Sequence, residues 1–181
     1  MANISKLLSW TDLPVIQERS LIVLDIDETF LWFPTINEIW WKELLQSLQT
    51  KYGPETSHIL ARKEWERVVS NEAPVQTDMV GFRNLNDRIR DTKSKLIFMT
   101  ARLESIAPLT RKHLRDCGVS SDIEVHYTTG KGETLRNIMQ RNPMCSEVIF
   151  VDDKVSNIYD VQYHNPSVKV YQWVPTPMST S

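Results

Sequence analysis

The sequence predicts an α/β protein, with a parallel sheet of about five strands, helices on both of its faces, and a small helical insertion. Three observations lead there. Short aliphatic runs at 21–25, 96–99, 148–151 and 168–171, with a weaker one at 123–125, have strand length, and from 96 onward helical patterns separate them. That alternation selects parallel strands joined by crossover helices. Acidic, hydroxyl and basic residues also stand at the C-terminal ends of these strands, the edge at which open parallel sheets bind ligands.

Residues 1–20 form a lead-in whose Leu7, Leu8, Trp10 and Leu13 can dock on a core. Leu21-Ile22-Val23-Leu24 is an unbroken aliphatic run, the mark of a strand buried on both faces. It runs directly into Asp25-Ile26-Asp27-Glu28-Thr29. In an extended chain the side chains of Asp25 and Asp27 leave the same face, so their carboxylates would crowd. Either the chain curls there or a cation sits between them.

Leu31-Trp32-Phe33-Pro34 is a turn-like exit, and Asn37 can cap a helix to about Thr50 with Trp40, Leu44, Leu45 and Leu48 as its apolar stripe. Gly53-Pro54 breaks that helix. A second helix carries Ala61, Trp65, Val68 and Val69 on one side, and after a loop at 71–77 a third holds Val80, Phe82, Leu85 and Ile89. Nothing in this region reads as a strand. The core pattern then resumes, with helices over 105–117 (closed by Gly118), 131–141 and 155–163 between the later strands. Pro175, Pro177 and a Ser/Thr end mark a frayed tail at 175–181.

Composition narrows the function. The 181 residues fit one domain with an insertion, and 41% hydrophobic with 24% charged residues is ordinary for a globule. A formal charge of −2 provides no basic field for a nucleic-acid backbone. No apolar run reaches membrane-spanning length, and the N-terminus lacks the features of a secretory signal. Cys117 and Cys145 have no metal-ligand spacing, so free thiols in a reducing, cytoplasmic setting are expected.

The strand ends carry the chemistry. The first bears Asp25 and Asp27, the second Thr100-Ala101-Arg102 and the fourth Asp152-Asp153, while Gly130-Lys131-Gly132 opens the helix after the third. Several carboxylates cannot converge without a cation, because like charges hold one another protonated. Mg²⁺ suits oxygen ligands at a site that also takes a phosphate oxygen. Thr100 offers a hydroxyl donor, Lys131 a point charge, and the first amides of the 131–141 helix an anion cradle. Acids, metal, lysine and hydroxyl together describe phosphoryl transfer, where catalysis is positioning and charge neutralisation. One acid of the first strand can attack phosphorus while the other handles the leaving group's proton.

Plainer roles compete for each residue. Thr100 and Asp153 could cap the helices that follow them, Arg102 could be a solvated helix start, and Lys131 a surface lysine. His126, beside the sheet edge, suits a structural role. Trp32, Trp40, Trp41 and Trp65 could stack on a base, although their helical spacing suits packing. A calcium loop of the EF-hand type is excluded, since its sixth and twelfth positions would be Phe30 and Ile36 rather than Gly and Glu.

Taken in order, L-I-V-L-D-I-D-E-T, I-F-M-T-A-R, G-K-G-E-T-L and V-I-F-V-D-D resemble the four motifs of the haloacid dehalogenase (HAD) superfamily, in its phosphatase-like branch. The resemblance implies a Rossmann-like core over 21–36 and 82–174, with 37–81 as a small helical cap between the first and second motifs. By that resemblance Asp25 would form an aspartyl phosphate and Asp27 would act as general acid, then base. Thr100 and Lys131 would hold the phosphoryl oxygens, with Ala101 and Arg102 completing the substrate-binding segment. Mg²⁺ would be bound by the Asp25 carboxylate, the Asp27 backbone carbonyl and Asp152, with Asp153 direct or through water. Glu28 stands where many members have Gly, a variant similar to certain acid and phosphoprotein phosphatases.

The expected function is a Mg²⁺-dependent phosphatase acting on a small phosphorylated substrate, with a phosphoprotein also open. No nucleic-acid or membrane partner is expected. A phosphotransferase or mutase of the same fold, or a Mg²⁺- or phosphate-binding regulatory domain without turnover, are the alternatives. Asp27 argues against a dehalogenase, which needs no proton donor there.

Overall fold

The structure, a computed structural model, describes residues 4–174, so the tail expected at 175–181 lies outside the described residues. In chain order the elements are β1 (Ser5–Leu7), β2 (Leu21–Leu24), β3 (Leu31–Trp32), α1 (Glu38–Tyr52), α2 (Pro54–Val69), β4 (Val75–Gln76) and α3 (Met79–Asp91). Then follow β5 (Lys95–Thr100), α4 (Ala107–Asp116), β6 (Glu124–Tyr127), α5 (Lys131–Arg141), β7 (Val148–Asp152), α6 (Val155–His164) and β8 (Lys169–Trp173). They form two compact units.

The first unit comprises the described parts of Met1–Phe30, Thr77–Glu104 and Asp122–Ser181. Its sheet has the order β1-β8-β7-β2-β5-β6, and every pairing is parallel. This is the Rossmann-like α/β architecture, with six strands where the sequence predicts about five. The extra one is β1, drawn from the lead-in. Three residues are too few to show a period of two, and β1 exists because β8 offers it an edge, with Ser5 opposite Tyr171.

All four residues of β2 are fully buried, as its unbroken aliphatic run demands. Alternation divides them between two layers. Leu21 and Val23 join Ile97, Met99, Val148 and Phe150 beneath Leu135 and Ile138 of α5 and Ile158 and Val161 of α6. On the other face, Phe98 meets Phe30, which meets Phe82 of α3, and Phe82 in turn meets Trp10. Trp10 also stacks on Trp173 at 4.1 Å. Two expected core residues are instead exposed, Leu8 and Val80. Val80 lies two residues before Phe82, about 200° around the helix from the stripe of Phe82, Leu85 and Ile89.

The second unit holds Leu31–Gln76 and Ser105–Ser121. Here β3 and β4 pair antiparallel, a strand contact in a stretch without a strand pattern, because two residues carry no readable alternation. Asn37 caps α1 as expected, its Oδ1 accepting from Trp40 N at 2.9 Å. Gly53, at φ 77°, turns the chain from α1 into α2 in a conformation that favours glycine. Phe33, Ile36 and Val69 form the cluster, with Trp40, Trp65, Val68 and Leu109 packed on it. The rest of the expected α1 stripe, Leu44, Leu45 and Leu48, is only half-buried. The tryptophans at 40 and 65 therefore do packing work.

Candidate active site

The site begins with strand register. Leu24 of β2 pairs with Val151 of β7, so the next residues, Asp25 and Asp152, leave adjacent parallel strands side by side. Such neighbours are about 4.8 Å apart and point to the same face. The Asp25 amide is fixed by a 2.9 Å bond to the Val151 carbonyl. Two buried carboxylates so placed need a cation between them, and Lys131 supplies one. Its ammonium donates to Asp25 Oδ1 at 2.5 Å and Asp152 Oδ2 at 2.6 Å, with the lysine side chain only 2% exposed. The surface-lysine alternative is thereby excluded.

Lys131 is aimed by the start of α5. Gly132 N donates to Asp160 Oδ2 at 2.7 Å, and Gly132 O accepts from Asn165 Nδ2 at 2.8 Å, so α6 and the residue that caps its C-terminus hold both backbone polar groups of this glycine. That amide is consequently taken by Asp160, which corrects its expected part in an anion cradle. A Cβ on Gly132 would lie 2.4 Å from the Asp160 carbonyl oxygen, a backbone atom with no freedom to move away. We expect Gly132→Ala to cost about 1–3 kcal/mol in urea unfolding, the usual penalty of overpacking, and to lower turnover by displacing Lys131.

Past Asp25 the chain curls, with Phe30 N bonded to Ile26 O at 2.9 Å and Glu28 at φ 61°. Glu28 thus sits in left-handed backbone, which explains physically why Gly suits this position. Beyond the curl, the Asp27 carboxylate is not part of the oxygen cluster that Asp25 forms with Asp152 and Asp153. Arg102 meets it instead, with Nη2 2.6 Å from Oδ1 and Nε 2.9 Å from Oδ2. Arg102 is buried rather than solvated, and its amide donates to Thr100 Oγ1 at 3.2 Å. Ala101 is exposed between them.

Asp152 also accepts from Lys154 N at 2.8 Å and from Asn157 Nδ2 at 3.0 Å on each oxygen. It is Asp152, not Asp153, that steadies the first turn of α6. Asp153 faces Thr29, whose Oγ1 accepts from Asp153 N at 2.9 Å and donates to Asp153 Oδ1 at 3.3 Å. Thr29, Asn157, Asp160 and Asn165 were not among the expected site residues. Asn157, one helical turn beyond Asp153, was the most detectable of them. His126 bonds Glu124 at 2.6 Å on β6, in keeping with its structural role.

Electrostatics follow from burial. Desolvation pushes the Asp25 carboxyl up to about 7, opposed by Lys131 and reinforced by Asp152 and Asp27. Desolvation likewise lifts Asp153 to about 8, with Asp25 and Asp152 adding to the rise. Burial works against the Lys131 ammonium, but the two carboxylates outweigh it and raise its pKa. Asp25, Asp152 and Asp153 each offer an oxygen within 4.8 Å of the others. A hard cation with metal–oxygen distances of about 2.1 Å nearly bridges such a span, and an all-oxygen donor set suits Mg²⁺. The residues fit the ion.

Without a cation, Asp25 and Asp153 bind protons more tightly folded than unfolded, where their ordinary value is 3.8. Stability is therefore greatest below about pH 4 as far as these groups act, falls as pH rises from there, and levels off once pH has passed about 7 and 8. In EDTA we expect Tm to decline over that window. Mg²⁺ at about a hundredfold over its Kd should raise Tm at pH 8 by about 5–10 °C, and by less at pH 5. A Mg²⁺ shift that is equal at both values would contradict this.

The structure resembles solved proteins, among them two described as hydrolases of the haloacid dehalogenase type. A protein from Burkholderia xenovorans described as a haloacid dehalogenase-like hydrolase superposes with a TM-score of 0.50 at 13% identity, covering 84% of this chain and 81% of the other. A HAD-superfamily hydrolase from Ehrlichia chaffeensis gives 0.50 at 10% identity, covering 86% and 92%. No family profile and no curated protein matches the sequence. The chain has the HAD-like fold. Among the described residues no helix is long and apolar enough to cross a membrane.

Proposed function

We propose that this chain is a Mg²⁺-dependent hydrolase of phosphomonoesters that works through an aspartyl phosphate on Asp25. The observation that carries the reading is the buried Lys131 ammonium shared between Asp25 and Asp152, with Asp153 beside them, at the C-terminal edge of a parallel sheet. An ammonium held by two carboxylates is a poor structural economy, since apolar packing would serve stability as well. It is a good phosphoryl site.

Asp25, Asp152 and Asp153, with the Asp27 carbonyl, are the residues that would hold the ion. When bound, Mg²⁺ supplies positive charge that offsets the carboxylates and the phosphoryl oxygens. Lys131 favours the ionised form of Asp25 against the effect of its burial and adds charge where it builds up. An Asp25 oxygen forms a bond to phosphorus as the bond to the ester oxygen breaks, and Asp27 gives that oxygen its proton. Water then attacks phosphorus, Asp27 takes its proton, and the Asp25–phosphorus bond breaks to release phosphate. Thr100, fully buried at the end of β5, would donate its hydroxyl hydrogen to a phosphoryl oxygen. The substrate class is a small phosphorylated molecule.

Hydrolysis of a generic aryl phosphate, with Mg²⁺ and then with excess EDTA, tests the reading. We expect turnover only with Mg²⁺, and a loss of about 10²–10⁴-fold in Asp27→Asn, the usual worth of general acid–base catalysis. Activity indifferent to EDTA would refute the metal assignment.

A further inference from the structure

The geometry points to Arg102 as the positioning residue of Asp27, a clamp on its carboxylate rather than a ligand of the substrate. This rests on the phosphatase reading above. The two bonds, Nη2 to Oδ1 at 2.6 Å and Nε to Oδ2 at 2.9 Å, form a fork that fixes the plane of the carboxylate as well as its position. The Arg102 side chain is 1% exposed, that of Asp27 32%. The Nη2 and Nε of this guanidinium are already committed to Asp27, whereas a carboxylate one-third open can reach a leaving-group oxygen.

The cations of the site are divided accordingly. Lys131 serves Asp25 and Asp152, and Arg102 serves Asp27. The base of the clamp is itself tied down, through the Arg102 amide on Thr100 Oγ1 at the end of β5. A lysine at 102 would keep the charge and lose the fork, so the carboxylate could rotate. Orientation would suffer before binding does.

Leaving-group chemistry separates this role from direct substrate contact. Dinitrophenyl phosphate departs as a stable phenolate and needs no proton, while phenyl phosphate needs one. Arg102→Lys should lose at least about tenfold more kcat/KM, which reports the step up to aryl release, on phenyl phosphate than on dinitrophenyl phosphate. Asp27→Asn should show the same skew, and the double variant should fall within about twofold of Asp27→Asn alone. Equal losses on both substrates with a raised KM, or an Arg102→Lys loss that persists in full beside Asp27→Asn, would overturn the proposal.

Urea unfolding of the same four proteins reads the clamp without any substrate. Their unfolding equilibrium constants should depart from simple multiplication by about fivefold or more, and plain multiplication would show that the clamp is absent in solution. Coupling in unfolding together with a wild type inactive on both esters would retract the phosphatase reading, and with it the clamp's catalytic meaning, while the ion pair itself would stand.

Discussion

Asp25→Asn should abolish aryl phosphate hydrolysis, by at least about 10⁴-fold, while leaving the protein folded. The loss is large because an amide cannot form the covalent intermediate, and removal of a nucleophile leaves only the residual effect of binding and charge. The fold survives because the variant removes a desolvated carboxylate whose pKa is pushed up to about 7 by its burial. Lys131 still has Asp152 at 2.6 Å. In EDTA at pH 8 the variant should therefore melt at or above the wild-type temperature. Its Mg²⁺-dependent gain should shrink, since one donor of the oxygen cluster is weakened. Measurable turnover in this variant, above a blank, would remove Asp25 from the chemistry.

The second large effect is on stability. Lys131→Met keeps most of the side-chain volume and deletes the charge, leaving Asp25 and Asp152 opposed on neighbouring strands with both nearly covered. Breaking a buried ion pair from one side costs about 3–5 kcal/mol, because the remaining charge has lost its compensation. Here the carboxylates can escape in part by taking a proton. The deficit in urea unfolding should thus be small near pH 5 and approach the full value near pH 8, when measured in EDTA. Mg²⁺ should recover part of it. Turnover should fall by about 10²–10³-fold or more even with Mg²⁺, the scale seen when one group that stabilises developing charge is removed. A variant as stable as wild type at both pH values would mean that the ammonium does not lie between the two acids.

Much of the fold was legible because it rests on local periodicity. The helix predicted over 131–141 has those bounds in the structure, and the uninterrupted apolar run before Asp25 is the buried central strand. The site was legible in part for the same reason. Asp25, Asp152 and Lys131 each sit at the end of an element whose type is written in its own residues, and the parallel sheet brings such ends to one edge. Elements too short to have a period escaped notice, as with Ser5–Leu7, Leu31–Trp32 and Val75–Gln76.

Partners separated along the chain were equally hidden. Nothing near Arg102 in sequence says that its guanidinium goes to Asp27, 75 positions away, and nothing near Gly132 says that Asp160 and Asn165 hold its backbone N–H and carbonyl. Nor does the sequence indicate that Ser105–Ser121 groups with Leu31–Gln76 in one compact unit.

By itself, then, the sequence determined the element types, the parallel sheet and the set of reactive groups at its edge, since each follows from spacing within a few residues. Only the tertiary structure decided which cation serves which acid, because pairing depends on strand register and on the curl after Asp25. One residue of slip between β2 and β7 would turn Asp152 to the opposite face from Asp25, and leave Lys131 with a single partner.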